Sequence, residues 1–353
     1  MTNSVSLFDG WVRVSLPSGR AGDFHARWLR HNDDLDRHEQ TGERTVDSSD
    51  LPDDLAIGAA AVEGETLTVR WNKDSRVSRY GLKWLEDHAY ALDRPLPPAP
   101  PSDVASLEIL ASSEDPQTYA PSVLARVRAC GAALVRRGPT DEPPETQTPR
   151  LVDAFTGAGL RVVDTHFGHI EDLRTDNTTN ANTDQLGYTD SAIDVHTDQP
   201  FLDVPPRYQM LQAIRRATEG GDSTVVDAKA AATYLASLDH RAWELLTTVP
   251  VTFHRKQRGF ERVVVSPILV DSPDRFQVRY SYFTMAPHQL PFERMEEWYR
   301  AYDRFARLVR DPRHQLRFAL RPGDFLLYDN HRMLHARTAF RGPRWVRGIY
   351  FDE

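Results

Sequence analysis

The feature that most constrains this chain is a run of proline between Arg94 and Ser102. Five of the nine residues in RPLPPAPPS are proline. Proline has no backbone N–H and a fixed φ angle, so neither a helix nor a central strand continues through such a run. We therefore predict a small N-terminal domain at residues 1–93, a proline-rich linker at 94–103, and a larger domain at 104–353.

Both predicted domains are rich in strand patterns. In the smaller domain, Trp11 to Val14 and Thr66 to Trp71 alternate apolar and polar side chains, as strands with one buried face do. In the larger domain, strand patterns such as Tyr208 to Ile214 and Val263 to Val270 accompany helical patterns such as Phe292 to Val309. The sequence therefore predicts a mainly β fold with flanking helices. Strands joined by tight turns favour a closed or sandwiched antiparallel architecture.

Composition and charge narrow the classes of function. The formal net charge is −8, which argues against nucleic acid as a partner, because phosphate binding needs a basic surface. The chain lacks an apolar run of the roughly 18 residues that a transmembrane helix needs, and its first residues lack a secretory signal pattern, so no membrane partner is expected. Cys130 is the only cysteine, which rules out an intramolecular disulfide and a cysteine-based zinc site. We expect a cytoplasmic protein with Cys130 as a small buried residue.

The first chemical signal is the motif His196-Thr197-Asp198, which is weak when taken alone. Residues i and i+2 of an extended segment point to the same side, so this imidazole and this carboxylate can reach one metal ion. With His335 as the third ligand they form a set of two histidines and one carboxylate. Such a set leaves positions open for O2 and a 2-oxo acid on Fe(II). The same spacing occurs at His31-Asn32-Asp33, where we do not expect metal binding.

Two further residues fit a binding site for the 2-oxo acid. Arg344 follows His335 by nine residues, and its guanidinium can clamp a carboxylate with two hydrogen bonds. Ser223 ends the motif Gly220-Gly221-Asp222-Ser223, and its hydroxyl can supply another donor. Taken singly, each residue has a plainer interpretation: a structural histidine, a surface ion pair or an ordinary turn. Their order along one strand-rich region favours the iron site.

These motifs resemble those of the taurine dioxygenase superfamily of Fe(II)/2-oxoglutarate oxygenases, and most narrowly the γ-butyrobetaine and trimethyllysine dioxygenase group. The resemblance implies a double-stranded β-helix, or jelly-roll, catalytic core beside a small N-terminal β-rich domain. It implies that His196, Asp198 and His335 bind catalytic iron, and that Arg344 and Ser223 bind 2-oxoglutarate, with O2 as oxidant. The segments that carry the resemblance are 196–200, 218–223 with Asp227, 321–324, 329–337 and 344–350.

The resemblance also marks four positions for the substrate. Enzymes of this group surround a trimethylammonium group with aromatic faces, through cation–π attraction. Tyr188, Tyr350 and Phe167 match three of these positions, and Glu171 matches the fourth. A carboxylate there suits an ammonium group with N–H donors, such as a primary or secondary amine. The alternative is that Glu171 is a surface residue and that the two tyrosines only pack in the core.

The N-terminal domain resembles a small domain that carries a structural zinc ion in this group. Where that domain has three cysteines, this chain has Asp33, Leu35 and His38, and where it has a histidine, this chain has Arg76. We therefore predict that the zinc ligands are lost while the β scaffold is kept. The domain supports dimers in the group that it resembles, so a homodimer is one assembly open to this chain.

The favoured function is hydroxylation of an unactivated C–H bond in a small amine-containing or zwitterionic metabolite. One alternative keeps the same iron chemistry and ends in desaturation, cyclisation or C–C cleavage. An alternative of another class is a non-catalytic metal-binding or sensor protein, which would not need both an open iron site and Arg344. Halogenation is disfavoured, because Asp198 keeps the carboxylate where halogenases have a small residue.

Overall fold

The computed structural model describes residues 4–38, 42, 44–93, 106–111, 115–138, 141–174, 186–257, 259–273 and 275–353. The chain divides into two compact units, Met1–Leu96 and Pro97–Glu353. The whole predicted proline linker, residues 94–103, lies outside the described residues. Within the described ranges, no helix is both long enough and apolar enough to span a membrane.

The first unit contains two antiparallel three-stranded sheets, β1-β2-β3 and β4-β5-β6, and two short helices. Leu67, Val69 and Trp71 are buried and alternate with less buried residues along β5, as the period of two predicted. They pack with Val12 and Phe24 in one apolar core. The elements are β1 (Val5–Phe8), β2 (Trp11–Ser15), β3 (Ala21–His25), α1 (Ala26–His31), β4 (Ile57–Glu63), β5 (Thr66–Trp71), β6 (Val77–Gly81) and α2 (Leu82–Asp87).

The second unit is mainly β, with five helices among its described residues. Its strands are β7 (Glu108–Leu110), β8 (Ala132–Arg136), β9 (Arg161–Val162), β10 (Glu171–Arg174), β11 (Ile193–His196), β12 (Tyr208–Arg215), β13 (Glu219–Gly220), β14 (Ser223–Asp227), β15 (Val251–Gln257), β16 (Phe260–Ser266), β17 (Leu269–Ser272), β18 (Arg275–Val278), β19 (Leu316–Phe318), β20 (Phe325–Asp329), β21 (Met333–Arg337), β22 (Phe340–Arg341) and β23 (Trp345–Asp352). Its helices are α3 (Ala120–Cys130), α4 (Pro144–Gly157), α5 (Ala228–Leu238), α6 (His240–Thr248) and α7 (Phe292–Arg310).

Two sheets and two helical groups form the layers of this unit. A seven-stranded sheet runs β10-β23-β12-β20-β8-β7, with β9 beside β23, and a four-stranded sheet runs β11-β21-β14-β19. Residues of both sheets, such as Leu211 and Val225, meet in one apolar core. The other face of the larger sheet packs on α3 and α4, and the other face of the smaller sheet packs on α5, α6 and α7.

Strand alternation decides which side chains enter the space between the two sheets. In β12, Tyr208 and Met210 pack on the helical side, whereas Leu211 packs in the core between the sheets. Gln209 therefore points inward with Leu211. The same alternation turns Tyr328 of β20 inward, because Leu327 packs on the helical side. This inner space holds the candidate site.

Two sequence predictions about this unit were wrong. The predicted strand Val263 to Val270 is two strands, because Pro267, which cannot donate a ladder hydrogen bond, lies between β16 and β17. Cys130 is exposed, not buried. It is the last residue of α3, where Gly131, with a φ of 87°, turns the chain away from the buried face that Val127 occupies.

Candidate active site

His196 and His335 lie on neighbouring strands of the smaller sheet. His196 ends β11 and is paired with His335 in β21, after an irregularity in the ladder. Side chains of directly opposed residues project from the same face of a sheet. The two imidazole rings are accordingly 4.2 Å apart between centroids. Pairing of two strands distant in sequence thus brings together the two histidines that the sequence identified.

Asp198 completes the group immediately after β11. One of its oxygens, Oδ1, lies 3.2 Å from Nε2 of His196. Asp198, His196 and His335 each place one possible metal-ligand atom within 4.8 Å of the other two. In the described ranges, this is the only group of three or more acidic, histidine or cysteine residues that meets this distance. Asn330 holds this turn, because its Oδ1 accepts the Asp198 backbone N–H at 3.0 Å and its Nδ2 donates to the Asp198 carbonyl at 3.1 Å.

The ionisation states of these residues suit metal binding. Burial raises the pKa of Asp198, but the nearby imidazoles of His335 and His196 outweigh burial and hold that pKa well below its usual range. Burial, reinforced by His196, lowers the pKa of His335 to about 3. The site therefore offers an ionised carboxylate and a neutral imidazole at neutral pH, and these are the forms that bind metal ions.

A row of polar residues on the larger sheet holds the ligands in position. Gln209 of β12 pairs with Tyr328 of β20 on one side and with Tyr350 of β23 on the other. Gln209 donates from Nε2 to Oδ2 of Asp198 at 2.6 Å, and the Tyr350 hydroxyl donates to the same oxygen at 2.8 Å. With Oδ2 occupied, Oδ1 is the oxygen left for a metal ion.

The hydrogen bonds also assign the histidine tautomers. Nδ1 of His196 lies 2.8 Å from the Asp194 carbonyl, so Nδ1 carries the proton. Nδ1 of His335 lies 2.8 Å from the Tyr328 hydroxyl, which itself donates to Oε1 of Gln209. Nδ1 of His335 must therefore donate. Both Nε2 atoms keep their lone pairs for the metal, an arrangement typical of metal-binding histidines.

The donor set fits Fe(II). Two imidazoles and one carboxylate oxygen lie close to one another, and each is oriented by a hydrogen bond to a second residue. Sequence reasoning missed Gln209, Tyr328 and Asn330. The available signal for Gln209 was a polar residue inside the apolar run Tyr208 to Ile214, where Gln209 is almost completely buried.

A second group of residues fits an anionic co-substrate. Ser223 of β14 is paired with Arg337 of β21, and Arg344 precedes β23. Arg344 is buried, and burial together with the charge of Arg337 lowers the pKa of Arg344 to about 9. Two buried guanidinium groups whose charges affect each other favour an anion nearby, and a carboxylate is an anion that arginine can bind with two hydrogen bonds.

The glycine pair before Ser223 is required by close packing. Gly220 has a φ of 68°, and a Cβ there would lie 2.2 Å from the Ala339 carbonyl oxygen. Gly221 has a φ of 71°, and a Cβ there would be 3.4 Å from Nε of Arg344. These positive φ angles favour glycine. The motif thus brings the β14 backbone close to Arg344.

The four substrate positions are also near the triad. Glu171 begins β10, is fully buried, and accepts a hydrogen bond from the Tyr188 hydroxyl at 2.9 Å. Burial, then the charge of Asp198, raises the pKa of Glu171 to about 8. The ring of Phe167 lies 6.2 Å from that of Tyr188. Glu171 is therefore not a surface residue.

One cavity connects these groups and contains about 920 Å³ of space between its atoms, its mouth included. Of the nine residues that the sequence singled out, eight line this cavity: Phe167, Glu171, His196, Asp198, Ser223, His335, Arg344 and Tyr350. Tyr188 is buried behind Glu171 and is not a lining residue. Arg255, Gln199 and Phe283, which the sequence did not single out, also line the cavity.

The expected zinc-site positions of the first unit contain ion pairs. Arg76 contacts Oδ2 of Asp33 and Oδ1 of Asp36, each at 2.9 Å. The Ser78 hydroxyl donates to Asp33, and Leu35 is exposed. Asp33 also belongs to the motif His31-Asn32-Asp33, and its second carboxylate oxygen accepts a hydrogen bond from the Leu35 backbone N–H. A guanidinium at this point disfavours a cation, so these residues do not fit zinc.

Comparison with known sequences gives full-length relatives. The chain is 30% identical over 368 residues to γ-butyrobetaine dioxygenase of Pseudomonas sp. (strain AK-1), covering 99% of this chain and 93% of that protein. It is 26% identical over 375 residues to trimethyllysine dioxygenase of Meyerozyma guilliermondii, covering 97% and 90%.

Comparison with solved structures supports the fold. The PvcB protein of Pseudomonas aeruginosa matches with a TM-score of 0.51 at 18% identity, covering 71% of this chain and 89% of that one. A putative α-ketoglutarate-dependent taurine dioxygenase of Burkholderia xenovorans matches with a TM-score of 0.51 at 15% identity, covering 70% and 90%.

The family model for taurine catabolism dioxygenase TauD, TfdA family, matches residues 93–350. The chain therefore belongs to the TauD/TfdA family and is an Fe(II)- and 2-oxoglutarate-dependent dioxygenase.

Proposed function

We propose that the enzyme hydroxylates an unactivated C–H bond of a small amine-containing or zwitterionic metabolite. The observation that carries this proposal is the presence of three chemically distinct groups in one cavity. They are the ligand triad, the basic pair of Arg344 and Arg337, and the buried acid Glu171. The relatives named for γ-butyrobetaine and trimethyllysine support a small zwitterionic substrate that carries a cationic nitrogen.

The overall reaction consumes the substrate, 2-oxoglutarate and O2, and yields the hydroxylated product, succinate and CO2. One oxygen atom of O2 enters the product hydroxyl, and the other enters succinate. Fe(II), when bound by His196, Asp198 and His335, supplies the O2 activation and oxidising power that an unactivated C–H bond requires.

The residues of this chain divide the remaining tasks. Arg344 and Ser223 bind the carboxylate of 2-oxoglutarate that lies away from the metal and thereby fix its orientation. Gln209 and Tyr350 occupy Oδ2 of Asp198, which keeps that ligand in one orientation. Arg344 and Glu171 are buried, so little water reaches them to compete with the co-substrate and the substrate for their hydrogen bonds.

Anaerobic protein with Fe(II) and 2-oxoglutarate tests the assignment of the iron site. We expect a weak visible charge-transfer band that is lost in His196→Ala and kept in His240→Ala, whose histidine is exposed on α6. In air, an amine substrate should release succinate and gain 16 mass units. A gain of 16 supports hydroxylation, whereas a loss of 2 indicates desaturation or cyclisation. Absence of both the band and succinate would point to a non-catalytic protein.

We propose that the two sheets of the second unit form a double-stranded β-helix and that the two units are the small N-terminal domain and the oxygenase domain. The antiparallel order β11-β21-β14-β19, facing a larger sheet across a shared core, supports this architecture.

We further propose that Arg76 replaces the zinc ion, because it joins Asp33 and Asp36 as a cation would. The single cysteine is compatible with a reducing cytoplasm. A measurement of molecular mass in solution would decide whether the protein forms a homodimer.

A further inference from the structure

The cavity contains a buried carboxylate, Glu171, that makes no salt bridge among the described residues, although Arg255 lines the same cavity and is near enough to oppose the rise of the Glu171 pKa. Glu171 is fully buried and accepts a hydrogen bond from Tyr188. Among the described residues, no lysine, arginine or histidine nitrogen lies within 4.0 Å of Glu171. A buried carboxylate without a paired charge is costly, and this one also lies near the negative charge of Asp198. A cationic ligand in the cavity would remove this cost.

A second polar group, independent of Glu171, also faces the cavity. Gln199 follows Asp198 and is buried, yet neither Nε2 nor Oε1 of its amide makes a hydrogen bond of normal geometry in the described structure. The Gln199 amide is close enough to the Tyr350 hydroxyl to lower the pKa of Tyr350, but the contact does not have the geometry of a hydrogen bond. Gln199 also has a φ of 53°, which a residue with a side chain rarely adopts. A buried amide without a hydrogen-bond partner among the described residues is costly, and a ligand in the cavity could supply that partner.

We infer that Glu171 and Gln199 together bind an ammonium group that still carries N–H bonds, and so select a primary or secondary amine over a quaternary one. This inference rests on the proposed function and names its substrate class. An N–H-bearing ammonium can donate to the carboxylate and to the amide oxygen at the same time. A trimethylammonium group has no donor, so Glu171 would keep only its hydrogen bond from Tyr188 and the Gln199 amide oxygen would gain none.

The aromatic residues support the same choice. A cage for a quaternary ammonium group presents aromatic faces and little else. Here the Tyr350 hydroxyl is bound to Asp198, and the Tyr188 hydroxyl is bound to Glu171 behind the cavity wall. Phe167 and Phe283 remain as apolar walls, and they can pack on the carbon atoms of the substrate.

Two matched pairs of compounds test the inference: 4-aminobutanoate with γ-butyrobetaine, and lysine with trimethyllysine. Each is titrated anaerobically into protein loaded with Fe(II) and 2-oxoglutarate, with the change in the visible band as the measure of binding. We expect the unmethylated member of at least one pair to bind at least about tenfold more tightly than its trimethylated partner, the size of a lost hydrogen bond to a charged group.

Two variants and a control attribute the preference to these residues. Glu171→Gln, which keeps the side-chain shape, and Gln199→Gly, which relieves the positive φ, should each reduce the preference about tenfold. Glu293→Gln, on the exposed first turn of α7, should leave it unchanged. Circular dichroism and the band in the absence of amine verify that each variant folds and binds cofactors.

The outcomes separate this inference from the proposed function. Tighter binding of the trimethylated compound, or no binding of either unmethylated compound at millimolar concentration, overturns the inference. Hydroxylation of a trimethylated compound in that case leaves the proposed function intact. Preferential binding of an unmethylated amine that depends on Glu171, with no 2-oxoglutarate consumed in air, would support the inference and contradict the proposed hydroxylation.

Discussion

Gln209 donates a hydrogen bond from Nε2 to Oδ2 of Asp198 over 2.6 Å, while its Oε1 accepts from the Tyr328 hydroxyl. Since Tyr328 also contacts Nδ1 of His335, one amide connects two of the three metal ligands. The orientation of both ligands therefore depends on a residue that never touches the metal. Such outer residues stabilise the geometry and basicity of metal ligands.

Gln209→Leu should lower metal affinity by about 10- to 100-fold, because Asp198 loses a donor and Tyr328 loses its acceptor. Titration with Fe(II) or Co(II) measures this. Gln212→Leu is a matched control in the same strand, since Gln212 is equally buried but bonds Thr148 and the Pro144 carbonyl. We expect Gln212→Leu to lower stability without changing metal affinity. Equal metal affinities in the two variants would contradict the role assigned to Gln209.

Arg344→Lys should raise the Kd for 2-oxoglutarate by roughly tenfold or more, since lysine keeps the charge but cannot form two parallel hydrogen bonds to a carboxylate. The intensity of the visible band against 2-oxoglutarate concentration gives the Kd. Arg341→Lys changes an exposed arginine nearby and should have no effect. An unchanged Kd in Arg344→Lys would move the co-substrate site away from this arginine.

Glu171 should make the stability of the metal-free, substrate-free protein depend on pH. The pKa of Glu171 is raised from 4.5 to about 8, by burial and then by Asp198, while Tyr188, Arg255 and Tyr350 oppose the rise. Between these pH values the folded state keeps a proton that the unfolded state has lost. The contribution of protonated Glu171 to the free energy of unfolding is therefore fully present below pH 4.5 and is lost as pH rises through 8.

Glu171→Gln removes this dependence and should stabilise the protein at pH 8 by about 4 kcal/mol relative to wild type, with little difference near pH 4.5. Urea unfolding of both proteins across this pH range measures the difference. Glu293→Gln, which alters an exposed carboxylate, should follow the wild-type curve. A constant difference between wild type and Glu171→Gln at every pH would show that Glu171 does not titrate in this range.

Arg76→Met should destabilise the first unit by about 3 kcal/mol, because buried Asp33 loses its cationic partner and Asp36 keeps only Arg30. Arg79→Met, on the exposed face of the same strand, should cost little. Addition of a chelator should leave the unfolding transition of the wild-type unit unchanged. A chelator-dependent loss of stability in that transition would mean that the unit holds a structural metal ion after all.

The sequence by itself determined the ligands and their chemistry. The spacing of His196 and Asp198 is local, since the period of a strand turns i and i+2 to one side, and no tertiary information is needed. The residue types of His335 and Arg344, and their order, then indicated iron and a carboxylate co-substrate. Strand patterns likewise predicted β5 and β12 closely, β5 from its alternation of apolar and polar residues and β12 from a nearly continuous apolar run.

Only the tertiary structure decided what surrounds those ligands. Gln209, Tyr328 and Tyr350 form a row because β12 pairs with β20 and β23, which are more than a hundred residues away in the chain. The partners of Glu171 follow in the same way, because β10 pairs with β23 and places the carboxylate near Tyr350 and Asp198. Strand pairing and register between distant segments depend on packing of the whole core, so no local pattern specifies them. The triad was therefore visible in the sequence, and the resemblance marked residues beside it, whereas the strand pairs and hydrogen bonds that orient them were not.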